Sequence, residues 1–119
     1  VGFSIQGPNK RAIFIPDIDK WELWKHNIDS VITAHDYAFL DGSFFANGEI
    51  PGRDMSEIPH PFVEESLKRF STLPSSEKSK IHFIHFNHTN PLINPNSKAS
   101  TAVIDAGMHV ARGFEQFEM

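Results

Sequence analysis

A chain of 119 residues with 39% hydrophobic content has room for one domain with a real core and not for two. Its formal charge of −4 and pI near 5.9 leave no basic footprint for a polyanion, so nucleic acid is not an expected partner. Cysteine is absent, which removes disulfides, thiolate ligands and a thiol nucleophile; any zinc here must be held by His, Asp or Glu.

Val1 to Ile5 alternates and stops at the turn cluster Gly7-Pro8-Asn9, after which Arg11 to Ile15 resumes as a β-rich run; the pattern predicts a hairpin. Because VGFSIQG opens without Met and lacks the basic start and apolar middle of a signal peptide, it reads as a strand already under way, and a missing upstream segment is expected. After Pro16-Asp17, Asp19 is placed to cap a short helix through Trp21, Leu23 and Trp24. Tyr37 to Leu40 is an apolar run stopped by Asp41-Gly42, as expected of a strand buried on both faces. A loop rich in Gly, Asp and Pro follows from Ala46 to Pro59.

Pro61 suits the first position of a helix in which Phe62, Val63, Ser66, Leu67 and Phe70 share a stripe, ending before Pro74. SSEKSK reads as a solvated connector and Ile81 to Phe86 as the next strand. Ser97 is placed to cap a helix ending near Gly107, and HVARGFEQF turns at Gly113 between two extended pieces. The order β-β-α-β-α-β-α-β-β predicts an α/β layer with helices on one face. No apolar run approaches the roughly 20 residues of a membrane span. The compartment is not fixed by the residues, with the cytoplasm favoured.

Three of the seven histidines fall within IHFIHFNHTNP, Ile81 to Pro91. Spaced three apart, His82, His85 and His88 would share a helix face, but the Ile and Phe pattern is that of a strand. There His82 and His85 point to opposite faces, and a self-contained triple-histidine site fails. His85 stands at the carboxyl end of its strand, where α/β folds place ligands; it is either a ligand or a strand-end histidine satisfied by backbone. His82 is expected to be structural or exposed. Asp17 is a carboxylate at the same edge, either a hard oxygen ligand or, with Asp19, a helix-start acid. Asp41 and His60, the latter between two prolines, are a carboxylate and an imidazole suited to proton transfer. Nothing in their spacing says that they meet; an Asp-Gly turn and a helix-entry histidine are the plainer readings.

Taken in order, IPDID, LDGSFF, RDMSEIPHPF and HFNHTNP resemble the second half of a metallo-β-lactamase-fold protein. The likeness covers nearly the whole chain and is nearest the branch around pyrroloquinoline-quinone biosynthesis protein B, with ribonuclease Z more distant. It implies half of an αββα sandwich, with a mixed sheet carrying helices on one face and residues 1–119 forming one C-terminal half-domain. Asp17 then resembles the acid that bridges two metals and His85 the last histidine ligand. Asp41 resembles the residue that orients a histidine, and His60 that histidine. Asn87 and Asn90 match a loop beside the site, where they would meet a small-molecule substrate. His88 stands where related sequences have Asn and is not expected to be a ligand.

The family's HxHxDH motif occurs nowhere in these residues. Asp17 and His85 give two ligands where a catalytic zinc takes three from protein. The resemblance therefore implies zinc or another divalent transition metal in a full-length metal-dependent hydrolase, with this chain inactive alone and its own metal binding left open. A half sandwich would bare a sheet face with residues from the Ile13/Ile15, Phe39 and Phe83 strands, so a homodimer packed sheet on sheet is expected. The rival reading is a non-catalytic α/β binding or assembly domain that dimerises through its sheet; a weaker one assembles a mononuclear site from Asp17 and His85 of two copies.

Overall fold

The computed structural model describes residues 2–119; Val1, the first residue of the predicted hairpin, lies outside the described residues. Five strands, β1 (Phe3–Gln6), β2 (Arg11–Ile15), β3 (Tyr37–Asp41), β4 (Ile81–Ile84) and β5 (His109–Val110), form one sheet in the order β1-β2-β3-β4-β5. The hairpin β1–β2 is antiparallel, and β2, β3, β4 and β5 run parallel. Parallel neighbours require crossovers, and right-handed crossovers that always step the same way lay every helix on one face. The crossovers carry α1 (Ile28–Thr33), then α2 (Val63–Phe70) and α3 (Ser75–Lys78), then α4 (Lys98–Asp105).

The strand period decides which side chains meet those helices. Ile13, Ile15, Ala38, Leu40, Ile81, Phe83 and Val110 form the core with Ile28 and Ile32 of α1, Val63 and Phe70 of α2, and Val103 of α4. The opposite face carries a transverse row in register, Phe3–Phe14–Phe39–His82–His109. The helix-free face is made by residues of the expected strands: Phe14, Phe39 and His82 lie on it, while Ile13, Ile15 and Phe83 point at the helices.

Several element boundaries also differ from expectation. Trp21–Leu23 is a single 3-10 turn without a side-chain cap, and the Asp19 carboxylate accepts only from the neighbouring Lys20 N–H. The true helix of that crossover is α1, capped by the Asn27 side chain, which accepts from Asp29 N–H at 2.9 Å. The SSEKSK connector contains one helical turn, α3, with no buried residue. Strand β3 is not buried equally: Ala38 and Leu40 are enclosed, while Tyr37 and Phe39 are half-buried. Pro61 precedes the N-cap Phe62, whose N–H donates to Glu65 Oε1 at 2.8 Å. Ser97 caps α4 as expected, accepting from Ser100 N–H.

The second extended piece of the tail is not a strand. Past the turn at Gly113 the tail crosses the helix-free face, and Phe117 packs edge-on against Tyr37, Phe39 and His82 at centroid distances of 5.3, 5.0 and 4.9 Å. Tyr37 donates its hydroxyl to the Glu118 carbonyl, and Met119 O accepts from the Asn9 and Lys10 amides.

His82, 7% exposed, is thereby enclosed. Burial, and then the His109 imidazole beside it, push its pKa down from 6.5 to about 4 against an opposing pull from Glu115. The unfolded chain binds a proton at His82 that the folded chain refuses, so this contribution to stability is intact above about pH 6.5 and lost as pH falls to about 4. Screening by nearby solvent brings the expected loss to roughly 1–2 kcal/mol. Urea midpoints measured in chelator at pH 7.5 and pH 4.5 should fall less with pH in His82→Phe than in the parent chain.

Candidate active site at the strand edge

Three neighbouring parallel strands deliver the site. Asp17 lies two residues past β2, Asp41 ends β3, and His85 directly follows β4. This is the carboxyl edge of the sheet, where α/β folds gather polar groups because the backbone there leaves the ladder.

Asp41 is fully buried and organises the edge. Its Oδ1 accepts from Ser43 N–H at 2.8 Å, and its Oδ2 accepts from Ile18 N–H at 3.1 Å and from His60 Nδ1–H at 2.7 Å. A carboxylate accepting three N–H groups donates to none, so the His60 proton on this bond sits at Nδ1, and Nε2 is the nitrogen turned away from Asp41. Asp17 Oδ1 lies 3.5 Å from the same Nδ1, on a side chain 70% exposed. Asp17, Asp41 and His60 therefore form one tight group, with one donor atom from each all within 4.8 Å of one another.

His60 is brought from a distant loop. Residues 42–62 pack a small core of their own, Met55, Ile58 and Phe62 against Phe44 and Ile50. Val63 N–H and Glu64 N–H donate to the Phe44 and Phe45 carbonyls, both at 2.9 Å. Lys20 fastens the other side: its ammonium is 2.6 Å from Glu65 Oε1 and 3.7 Å from the Phe62 ring centroid.

His85 has φ 64, so it ends β4 two residues before the predicted end at Phe86. Its Nδ1 is 3.1 Å from Ser43 Oγ, and a proton donated there leaves the Nε2 lone pair free. A cavity of about 210 Å³ opens between the two imidazoles, lined by Ser43, Phe44, His60, His85, Phe86 and Asn87.

The candidates thus separate. Asp17, Asp41 and His60 are brought together, and His85 joins through the cavity wall it shares with His60. Asn87 lines the cavity, its side-chain N–H donating to Thr89 Oγ1 at 2.7 Å. Asn90 does not line it: buried at 3% exposure, its Nδ2–H groups donate to Gly42 O at 2.6 Å and Ser43 O at 3.3 Å. Its Oδ1 accepts from Leu92 N–H at 2.8 Å. His88 is exposed on the following loop.

Two contributors escape a reading by residue type. Ser43, inside LDGSFF, holds His85. Glu49 accepts from Phe45 N–H at 2.8 Å and from Thr89 Oγ1 at 2.5 Å, tying the two site loops together. A serine and a glutamate in polar loops carry no signal of either task.

For a metal, the donor set fits in part. Asp41 has both oxygens engaged, which leaves the Asp17 carboxylate and the Nε2 atoms of His60 and His85 as open donors of the oxygen and imidazole type that borderline divalent metals take. An imidazole fixed at Nδ1 by a carboxylate is the usual support of a histidine ligand, and equally of a general acid or base.

A mixed five-stranded sheet with its helices on one face and its polar groups at the carboxyl edge is the half-sandwich that the metallo-β-lactamase resemblance implies. Within that class, the chain is similar to coenzyme PQQ synthesis protein B of Methylococcus capsulatus, with 27% identity over 93 residues, which are 71% of this chain and 30% of that protein. The crystal structure of zinc-bound PqqB from Methylobacterium extorquens shares the fold, with a TM-score of 0.72 and 21% identity over 92% of this chain and 40% of that one. No family model matches. The chain therefore spans under half the length of both relatives, and the resemblance read from the motifs holds in sequence and in fold.

No helix among the described residues is long and apolar enough to cross a membrane.

Proposed function

We propose that the chain is the C-terminal, acid–histidine half of a metal-dependent enzyme of the metallo-β-lactamase fold that serves coenzyme PQQ synthesis. The observation that carries this reading is the buried Asp41 holding His60 at 2.7 Å, with Asp17 3.5 Å from the same ring, at the carboxyl edge of the sheet. Asp17 and His85 are its metal donors, and His60 Nε2 is left for proton transfer. A bound divalent metal, zinc or a similar ion, would supply an acidified water. Asp41 fixes the His60 tautomer, His60 Nε2 carries a proton to or from a small-molecule substrate in the cavity, and Phe44 and Phe86 limit water there. Two donors from one half fall short of a complete catalytic centre, so hydrolysis by this chain alone is expected to be absent.

Metal analysis tests the reading. The purified chain should take up close to one equivalent of zinc, and Asp17→Ala and His85→Ala should each weaken uptake by roughly 100-fold. No uptake in excess zinc would overturn it and leave the rival, a binding or assembly domain.

One observation favours association under either reading. On the helix-free face Phe3, Ile5 and Phe14 are 57%, 49% and 37% exposed, an apolar patch that a second sheet would cover. A homodimer through this face is the proposed state, and light scattering that finds a stable monomer at micromolar concentration would sink it.

A further inference from the structure

At the other end of β3 from Asp41, a serine and a histidine meet that the acid–histidine site does not use. Ser4 stands on the edge strand β1 directly opposite Ile13 and so shares its face, the one turned to the helices. His35 lies between α1 and β3 and is 8% exposed. The Ser4 hydroxyl is 2.8 Å from His35 Nε2, and His35 Nδ1 is 2.6 Å from the Val31 carbonyl oxygen.

The carbonyl fixes the state of the ring. Val31 O belongs to the last turn of α1, and its usual helical donor, His35 N–H, turns to Ile32 O at 3.1 Å instead. A carbonyl only accepts, so the proton of the ring bond is on His35 Nδ1. In the neutral ring Nε2 is then the acceptor, and the Ser4 hydroxyl donates to it. A tie between β1 and α1 is the plain alternative, but the pair opens onto a cavity of about 420 Å³ walled by Ile13, Trp24, Val31 and His26, and a tie has no use for one. Ser4 is exposed and His35 is enclosed behind it, the order that a nucleophile and its base require.

We propose that Ser4 is a nucleophile activated by His35, in a second site that takes small carboxylic esters with an apolar acyl group. Ser4 Oγ bonds to the acyl carbon, its proton passes to His35 Nε2, and the Val31 carbonyl holds the imidazolium that forms. The bond from the acyl carbon to the alcohol oxygen then breaks, and the alcohol leaves with that proton, so that the acyl group stays on Ser4. Water attacks the acyl carbon, gives its proton to His35 and releases the acid as Ser4 Oγ takes the proton back. Ile13, Val31 and Trp24 receive the acyl chain. His26, edge-on to Trp24 with ring centroids 5.1 Å apart, brings a ring N–H to the acyl oxygen.

An alkyl fluorophosphonate probe, applied in chelator so that the metal site is silent, tests this. The parent chain should gain one phosphonyl group, placed on Ser4 by peptide mapping, as the bond from Ser4 Oγ to phosphorus forms and fluoride leaves. Ser4→Ala, at an exposed position, should gain none. His35→Gln can still donate to Val31 O but cannot take the serine proton, so labelling should slow by roughly 100-fold with the circular dichroism of the parent. Asp17→Ala and His85→Ala should label at the parental rate, which separates this site from the metal reading. In the unaltered chain p-nitrophenyl butyrate should give a burst of nitrophenolate and leave a butyryl group on Ser4, a result that needs no variant to fold. An adduct on another residue, no adduct at all, or equal labelling of the parent and a folded His35→Gln overturns the proposal.

Discussion

Asp41→Ala is expected to lower the stability of the chain by about 3 kcal/mol, read as a fall in the urea midpoint at unchanged slope. The buried carboxylate serves Ser43 N–H, Ile18 N–H and His60 Nδ1–H at once. Alanine removes the acceptor and leaves two backbone donors without a partner in an enclosed place, which costs more than the bonds themselves contributed. It also frees His60, so any proton transfer at the cavity should fail with the fold still populated. Asp41→Asn separates the two effects: an amide can still accept from one or two of these donors, so most stability should return. His60 loses its negatively charged anchor in both variants. An alanine variant as stable as the parent would show that Asp41 does not hold the edge together.

Asn90→Ala should cost roughly 2–3 kcal/mol by the same measurement. Its side chain bonds the Gly42 and Ser43 carbonyls on one side and Leu92 N–H on the other, so it joins the loop after β3 to the loop after β4. Ser43 O keeps Asn87 N–H as a second donor at 2.9 Å, but Gly42 O and Leu92 N–H are stranded. The loss should appear as faster amide exchange from Gly42 through Leu92 before global unfolding. Zinc uptake should weaken too, because Ser43 is the partner of His85. A variant with parental exchange in both loops would remove Asn90 from the scaffold.

The strand period was enough to break up the three histidines of IHFIHFNHTNP, because alternation of Ile and Phe fixes which side chains share a face. Ser97 and Gly107 bound α4 from local chemistry alone, a cap that accepts from Ser100 N–H and a glycine at φ 87. The hairpin, β3 and α2 were legible for the same kind of reason. Helix α1 was missed because Trp21, Leu23 and Trp24 gave the stronger apolar signal, although Asn27 followed by Ile28, Val31 and Ile32 carries both the cap and the stripe. The tail was read as strand because extended residues that pair and extended residues that lie across a face look alike in sequence. Only tertiary packing of Phe117 tells them apart.

The site was legible to the extent that it lies at strand ends. Asp17, Asp41 and His85 each follow an apolar run, which places them at one edge before any contact is known. That Asp41 and His60 meet depends on a 42–62 loop folding around Met55, Ile58 and Phe62, and no local rule gives the path of such a loop. The Asp-Gly turn reading of Asp41-Gly42 also gives way to tertiary structure. A Cβ on Gly42 would come within 2.9 Å of Ile84 O, so the glycine is there to let β4 approach, and its N–H donates to that same carbonyl at 2.7 Å.

The left-handed backbone of His85 has a consequence for how this chain balances folding against chemistry. A side chain at φ 64 costs on the order of 1 kcal/mol or more that glycine would not, and histidine is among the few residues that tolerate it. Folding alone would favour glycine at position 85. The chain carries an imidazole there instead, so the position gives up stability for a ring set in the cavity wall.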